Sequence, residues 1–239
     1  MASTNFGPKL HIIGLCGLVN VGKDTAGEIL AAHGGFRPMS FAAPLKAEAA
    51  EAFGVETLIF VRREYKEQPR PELALSHSTD KAFQAMALLY LTVKEPHVPR
   101  AEHMEKPRSP RQIMQLWGTE YRRALEPNYW ARQVAMHIRC LMEGCHERRF
   151  VVTDVRFRNE VETLRNMGGR IWQIRRPGID HMTTADAGHE SANDGSAFEP
   201  NAVINNSHDV KHLRNLVLGE FWALDAGLRR VEVHIPCEA

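Results

Sequence analysis

The chain has 239 residues, 44% of them hydrophobic, with 30 basic and 29 acidic side chains and a formal net charge of +1. That length holds one large domain with insertions and a substantial core. The near-neutral balance, with a pI near 7.8, argues against a polymeric nucleic-acid partner, which needs a basic field. No apolar run reaches the length of a bilayer span and no signal peptide is visible.

Met1 to Pro8 are small or polar and are expected to fray. Leu10 to Cys16 form an apolar run that reads as a buried strand. Gly17-Leu18-Val19-Asn20-Val21-Gly22-Lys23-Asp24-Thr25 follows, and Ala26 onward opens a helix. Two glycines and a lysine between strand and helix are the parts of a phosphate-binding P-loop. Backbone N–H groups and the helix N-terminus form an anion cradle, and Lys23 would reach the outer phosphates as a mobile point charge. Asp24 stands where the common pattern has a magnesium-binding hydroxyl, and Thr25 comes one place later. With that variant the turn resembles those of small-molecule and nucleotide kinases more than those of switch GTPases or motor ATPases.

Phe36 to Phe41 suggest a short second strand, and Pro44 a helix start, with Leu45, Ala49, Ala52 and Phe53 on its apolar face and Gly54 as its stop. Between Arg62 and Pro107 the pattern weakens. A helix from Thr79 to Leu91 lies inside it, and Pro96, Pro99 and Pro107 bracket a stretch that reads as a mobile loop. Ser109-Pro110 is a cap followed by proline at the first helical position. Ile113, Met114, Leu116 and Trp117 give that helix an apolar side, and Asn128 caps the next, from Tyr129 to about Met142. Phe150 to Asp154 is an apolar strand ending in an acid. Asn159 to Met167 is a helix closed by Gly168-Gly169, and Arg170 to Ile174 another strand. Gly178 to Pro200 is a polar loop, Ala202 to Ile204 a last strand, and Ser207 to Leu228 a terminal helix. Strands alternating with helices imply an α/β fold: a doubly wound parallel sheet of about five strands with helices on both faces. The whole of 1–239 reads as one P-loop domain with a helical acceptor-binding insert at 42–147 and a lid-like loop at 177–201.

In open α/β sheets ligands bind at the carboxyl ends of the strands, so Asp154 and Arg156 form the second candidate site. An acid there can hold Mg²⁺ through water, and an arginine two residues on can grip a phosphate; the plain alternative is that Asp154 caps the Asn159 helix. Arg111, Gln115 and Arg122 fall on related helical turns, so their polar heads could converge. Trp117 reads as core. Trp130 divides evenly between core packing and stacking on a base. Arg148-Arg149 reads as solvated surface. The four cysteines, Cys16, Cys140, Cys145 and Cys237, lack disulfide or zinc-finger spacing, even with His137 and His146 nearby, and fit reduced thiols in a cytoplasm.

The chain resembles the bacteriophage-type deoxynucleoside monophosphate kinases. The resemblance runs in order through Cys16-Gly17 to Thr25, Phe41-Ala42-Ala43-Pro44-Leu45-Lys46, Arg111 to Glu120, Tyr129-Trp130, Asp154-Val155-Arg156 with Asn159-Glu160, Gly168-Gly169, Arg175-Arg176-Pro177-Gly178 and Val203-Ile204-Asn205-Asn206. It is weakest from Arg62 to Pro107 and from Ile179 to Pro200. It implies a nucleoside monophosphate kinase fold in a phage-infected or bacterial cytoplasm, with ATP and Mg²⁺ as co-substrate, deoxynucleotide acceptors and room for a homodimer. On that reading Gly17, Asn20, Val21, Gly22, Lys23, Asp24, Thr25 and Arg176 hold ATP, and Asp24, Thr25 and Asp154 the metal. Lys23, Arg156, Arg111 and Asp154 serve phosphoryl transfer. The acceptor falls to Lys46, Arg63, Glu64, Lys66, Arg111, Gln115, Arg122, Trp130, Arg156 and Glu160. For Arg63, Glu64 and Lys66 a solvated helix surface is the equal alternative. Another small-molecule P-loop kinase, such as one acting on dephospho-coenzyme A, and a nucleotide-dependent switch with little turnover are the competing functions.

Overall fold

The structure is a computed structural model that describes residues 9–178 and 198–227. It divides into two compact units. One takes the chain up to Met39 and again from Ile138, and the other is Ser40–His137.

The first unit is built on a parallel five-stranded sheet, β1 (His11–Cys16), β2 (Arg37–Met39), β3 (Arg149–Val152), β4 (Arg170–Arg175) and β5 (Ala202–Asn205), in the order β2-β3-β1-β4-β5. All four strand pairs are parallel, with Ile13 beside Val151 and Gly14 beside Ile171. β1 is buried along its whole length, which is why its sequence is a continuous apolar run instead of an alternating one. Ile13, Leu15, Val151, Trp172, Ile174 and Ile204 pack on one face with α1 (Lys23–Gly34) and α9 (Val210–Asp225), through Ile29, Leu30, Leu213, Val217 and Phe221. On the other face Gly14 and Ile171 lie against Leu164 of α8 (Arg158–Asn166). Helices therefore cover both faces, as the alternation of strands and helices predicts.

The second unit is helical. It holds α2 (Ala42–Phe53), α3 (Leu58–Val61), α4 (Lys81–Lys94), α5 (Arg100–Glu105), α6 (Pro110–Gln115) and a π-helix (Leu116–Arg123). α7 (Tyr129–Gly144) begins in this unit and carries the chain into the other. Its core centres on Phe53, Phe60, Phe83, Ile113, Trp117 and Trp130, with the Phe83 and Trp117 ring centroids 4.5 Å apart. Local signals set the helix ends. Asp80 accepts from the Phe83 N–H at the start of α4, Ser109 and Gln112 form a reciprocal capping box on α6, and Gly54 ends α2 in the left-handed conformation.

Three expectations need correction. The proline-bracketed stretch is not a mobile loop: α5 forms within it, and His103 on α5 is fully buried. Pro99 is the N-cap of α5, where its missing N–H costs nothing. Arg148 and Arg149 are not simply solvated. Arg148 donates to the Met142 and Glu147 carbonyls, and Arg149 donates to the Gly34 carbonyl with its guanidinium over the Phe221 ring. The helix after Ser109 does not stay α-helical, because it continues as the π-helix. Met1 to Pro8, Cys237 and most of the 177–201 loop lie outside the described residues.

Candidate active site

The glycine turn from Gly17 to Lys23 lies at the carboxyl end of β1. Gly17 and Gly22 have φ of +133° and +105°, and Asn20 between them has +65°. These are conformations that glycine adopts freely and asparagine tolerates. Space matters as well as φ, since a Cβ on Gly17 would sit 2.3 Å from the Ile174 carbonyl oxygen. Gly22 is the N-cap of α1 and offers no side-chain cap, so the first N–H groups of the helix remain available to an anion.

Lys23 folds back over this turn. Its Nζ donates to the Gly17 carbonyl at 2.8 Å and the Leu18 carbonyl at 2.5 Å. Burial, and then the nearby Arg156 guanidinium, pull its pKa below the ordinary lysine value, against the opposing pull of Asp24, Cys16 and Asp154. Lys23, Arg156, Asp24 and Asp154 thus share one electrostatic neighbourhood. The backbone explains how. The Val155 N–H donates to the Leu15 carbonyl at the end of β1, and the Thr153 N–H donates to the Met39 carbonyl at the end of β2. The segment after β3 is thereby tied to the sheet edge from which the glycine turn emerges. Thr153 also packs where a Cβ on Gly27 of α1 would lie.

Asp24 is exposed, Thr25 and Asp154 are half-buried, and Arg156 is exposed. Among the described residues no group of three or more His, Cys, Asp or Glu could hold a metal. Two carboxylates and a hydroxyl beside a phosphate cradle suit Mg²⁺, which keeps waters and phosphate oxygens in its shell. The glycine cradle and the uncapped helix end likewise fit the phosphates of a nucleotide. Glu160, expected on the acceptor, is turned inward. It is 2% exposed, and its carboxylate accepts from the Arg156 and Phe157 N–H groups. Glu160 therefore ties down the N-terminus of α8, the role considered above for Asp154. Arg176 is exposed just beyond β4.

In the helical unit the predicted residues separate. Lys46 on α2 and Gln115 on α6 are half-buried. Arg63 and Glu64 lie in a 3₁₀ turn (Arg63–Tyr65), and with Lys66 they are exposed. Arg111 is joined to this segment, its N–H donating to the Lys66 carbonyl and its guanidinium pairing with Glu67 at 2.9 Å. Arg122 instead pairs with Glu48. The π-helix is the reason. The Ala124 N–H reaches back to the Thr119 carbonyl, and i→i+5 winding brings residues five apart, Trp117 and Arg122, onto one side. Both donate to Glu48 Oε2, at 3.1 and 2.9 Å, and Tyr129 OH donates to Oε1 at 2.5 Å. The Arg122 guanidinium lies over the rings of Trp117, Tyr121 and Tyr129. Burial works against its charge, but Glu48 and the two tyrosines outweigh it and hold the pKa above the ordinary arginine value. Trp130 is 2% exposed, with its N–H on the Gly118 carbonyl; it is a core residue and not a stacking platform. Glu48 carried no sequence signal, since it sits in the alanine-rich run Ala47-Glu48-Ala49-Ala50.

The family model for deoxynucleotide monophosphate kinase matches residues 58–217, two thirds of the chain. The chain belongs to the deoxynucleotide monophosphate kinase family. This family member is a nucleotide kinase. It is also 27% identical over 221 residues to a protein of Acanthamoeba polyphaga mimivirus, provisionally named deoxynucleotide monophosphate kinase, covering 89% of this chain and 92% of the relative. Among solved structures, a dephospho-CoA kinase from Campylobacter jejuni superposes with a TM-score of 0.42 at 13% identity, over 89% of this chain and 96% of that one. A sugar kinase from Janibacter sp. HTCC2649 gives 0.45 at 13% identity, over 93% and 100%. Structural likeness at this level bears on neither substrate nor activity. No helix among the described residues is long and apolar enough to cross a membrane.

Proposed function

We propose that this kinase transfers the γ-phosphate of ATP to a deoxynucleoside monophosphate, giving the diphosphate. The observation that carries the reading is the left-handed glycine turn from Gly17 to Gly22, which opens without a side-chain cap into α1 and over which Lys23 Nζ is folded onto the Gly17 and Leu18 carbonyls. Burial, and then the Arg156 guanidinium, make Lys23 costly to charge, and a phosphate chain beside it relieves that cost. An acceptor phosphate is already an anion near neutral pH, because its second pKa is about 6. The chain therefore needs no general base. Its task is to bring two anions into line and spread the charge of the transferring group. Gly17 to Gly22 and the first turn of α1 hold the donor phosphates, and Lys23 leaves the Gly17 and Leu18 carbonyls to meet them. Asp24, Thr25 and Asp154 would hold Mg²⁺, which when bound neutralises phosphate charge. Arg156 steers the acceptor phosphate.

The test is a coupled ADP-release assay over all four deoxynucleoside monophosphates, with dephospho-coenzyme A as control. Turnover with at least one deoxynucleotide and none with the control is the expected result. Turnover with the control alone, or with water alone, overturns the proposal.

A further inference from the structure

A buried carboxamide far away in sequence grips the P-loop. Asn206 Nδ2 donates to the Val21 carbonyl at 2.9 Å across 185 positions of sequence, and the residue is 4% exposed. Its own backbone N–H donates to the Arg175 carbonyl at 2.7 Å, so Asn206 is anchored at the end of β4 where β5 finishes. The amide orientation is set by its partner, since the opposite one would put two oxygens face to face. Gly22 accommodates this contact as well as its φ: a Cβ there would lie 2.7 Å from Asn206 Nδ2.

We propose that Asn206 is a positioning residue that aims the P-loop N–H groups at the donor phosphates. The inference rests on the reading of Gly17 to Lys23 as the ATP phosphate site. In a trans peptide the carbonyl and the following N–H point in opposite directions. Holding the Val21 carbonyl against Asn206 turns the Gly22 N–H the other way, and that N–H meets no acceptor among the described residues. Without the latch the Val21 carbonyl is free to swing toward the cradle, where an acceptor repels an anion. The latch also ties the end of β5, the last strand among the described residues, to the turn that follows β1.

The test compares Asn206→Asp, Asn206→Leu and Asn206→Ser with the parent and with Lys23→Ala. Aspartate and leucine keep the bulk but cannot donate to a carbonyl, and serine is too short to reach it. Calorimetric ATP affinity is expected to fall by about tenfold, equivalent to about 1.4 kcal/mol, and furthest in the aspartate variant, while KM for the monophosphate stays at the parental value. Hydrogen exchange without nucleotide should quicken in the peptide spanning Val21 to Lys23 and stay unchanged in β1 and β3. A merely space-filling role predicts instead lower thermal stability in the serine variant alone, with parental ATP affinity in all three, and that result overturns the inference. Should the variants not fold, the parent decides: the Asn206 side-chain amide protons must exchange with water far more slowly than a free carboxamide, and a free rate overturns it. Loss of ATP binding in Lys23→Ala with parental binding in the Asn206 variants refutes this inference alone. A parent that binds no ATP refutes the phosphate-site reading and the inference together.

Discussion

Removing the Glu48 carboxylate should weaken the helical unit by an amount that the geometry sets. Glu48→Ala deprives Trp117 Nε1, Arg122 Nε and Tyr129 OH of their shared acceptor. Trp117 is 2% exposed, so its N–H is left without a partner at a cost of about 1–3 kcal/mol. The Arg122–Glu48 pair keeps about a quarter exposure on each side, so solvent screens it and it adds only about 0–1 kcal/mol. The Tyr129 hydroxyl finds water. The total centres near about 2.5 kcal/mol, which for a chain of this size lowers Tm by roughly 8 °C. Glu48→Gln, which keeps one carbonyl acceptor, should lose less. Differential scanning calorimetry gives both values, and an alanine variant within about 2 °C of the parent refutes the argument that one carboxylate organises the aromatic cluster. An alkaline titration of tyrosine absorbance supplies a second check. Burial, and then the hydrogen bond and charge of Glu48, hold the Tyr129 phenol above its ordinary value. A raised phenol contributes stability that is fully present below about pH 10 and is lost as the pH climbs through the raised value. In Glu48→Gln the Tyr129 midpoint should move down and that alkaline loss should shrink.

Lys23→Met should lower kcat/KM by about 10²–10³, the usual cost of losing one charge-stabilising group, and near-parental turnover would refute the P-loop assignment. Because the folded pKa of Lys23 is depressed by burial and by Arg156, the unfolded chain binds more protons between that value and the ordinary one; this contribution makes stability rise with pH there, and the rise should vanish in Lys23→Met on pH-resolved thermal scans. Arg156→Lys should raise KM for the monophosphate by about tenfold, since an ammonium does not reproduce a planar fork; an equal loss of ATP affinity by calorimetry would contradict the acceptor role. His103 is fully buried with neither ring nitrogen hydrogen-bonded. His103→Leu should therefore leave Tm unchanged or raise it, and a marked fall would show that the Glu95 carboxylate, 3.9 Å from Nδ1, holds the imidazole in place.

The sequence alone determined the strands of the sheet and the glycine-lysine turn proposed to hold phosphate, because both depend on short-range chemistry. A continuous apolar strand, a glycine-lysine turn and a helix start are written in consecutive residues, and position 154 follows its strand within a few residues. The bonds that join these pieces were not legible. Glu48 reads as one polar position in an alanine-rich helix until the π-helix brings Trp117 and Arg122 to it, and no local pattern announces i→i+5 winding. The same winding explains why Arg111, Gln115 and Arg122, convergent on α-helical spacing, find different surroundings. Trp130 and Glu160 carry side chains that suit a ligand as well as a core, and only their burial and backbone partners distinguish the two. Asn206 stood in a recognisable tail, yet its bond to Val21 exists because the parallel sheet closes 185 positions of sequence into one hydrogen bond. Local chemistry is encoded along the chain, whereas the choice of partner for each polar side chain depends on which elements the fold packs side by side.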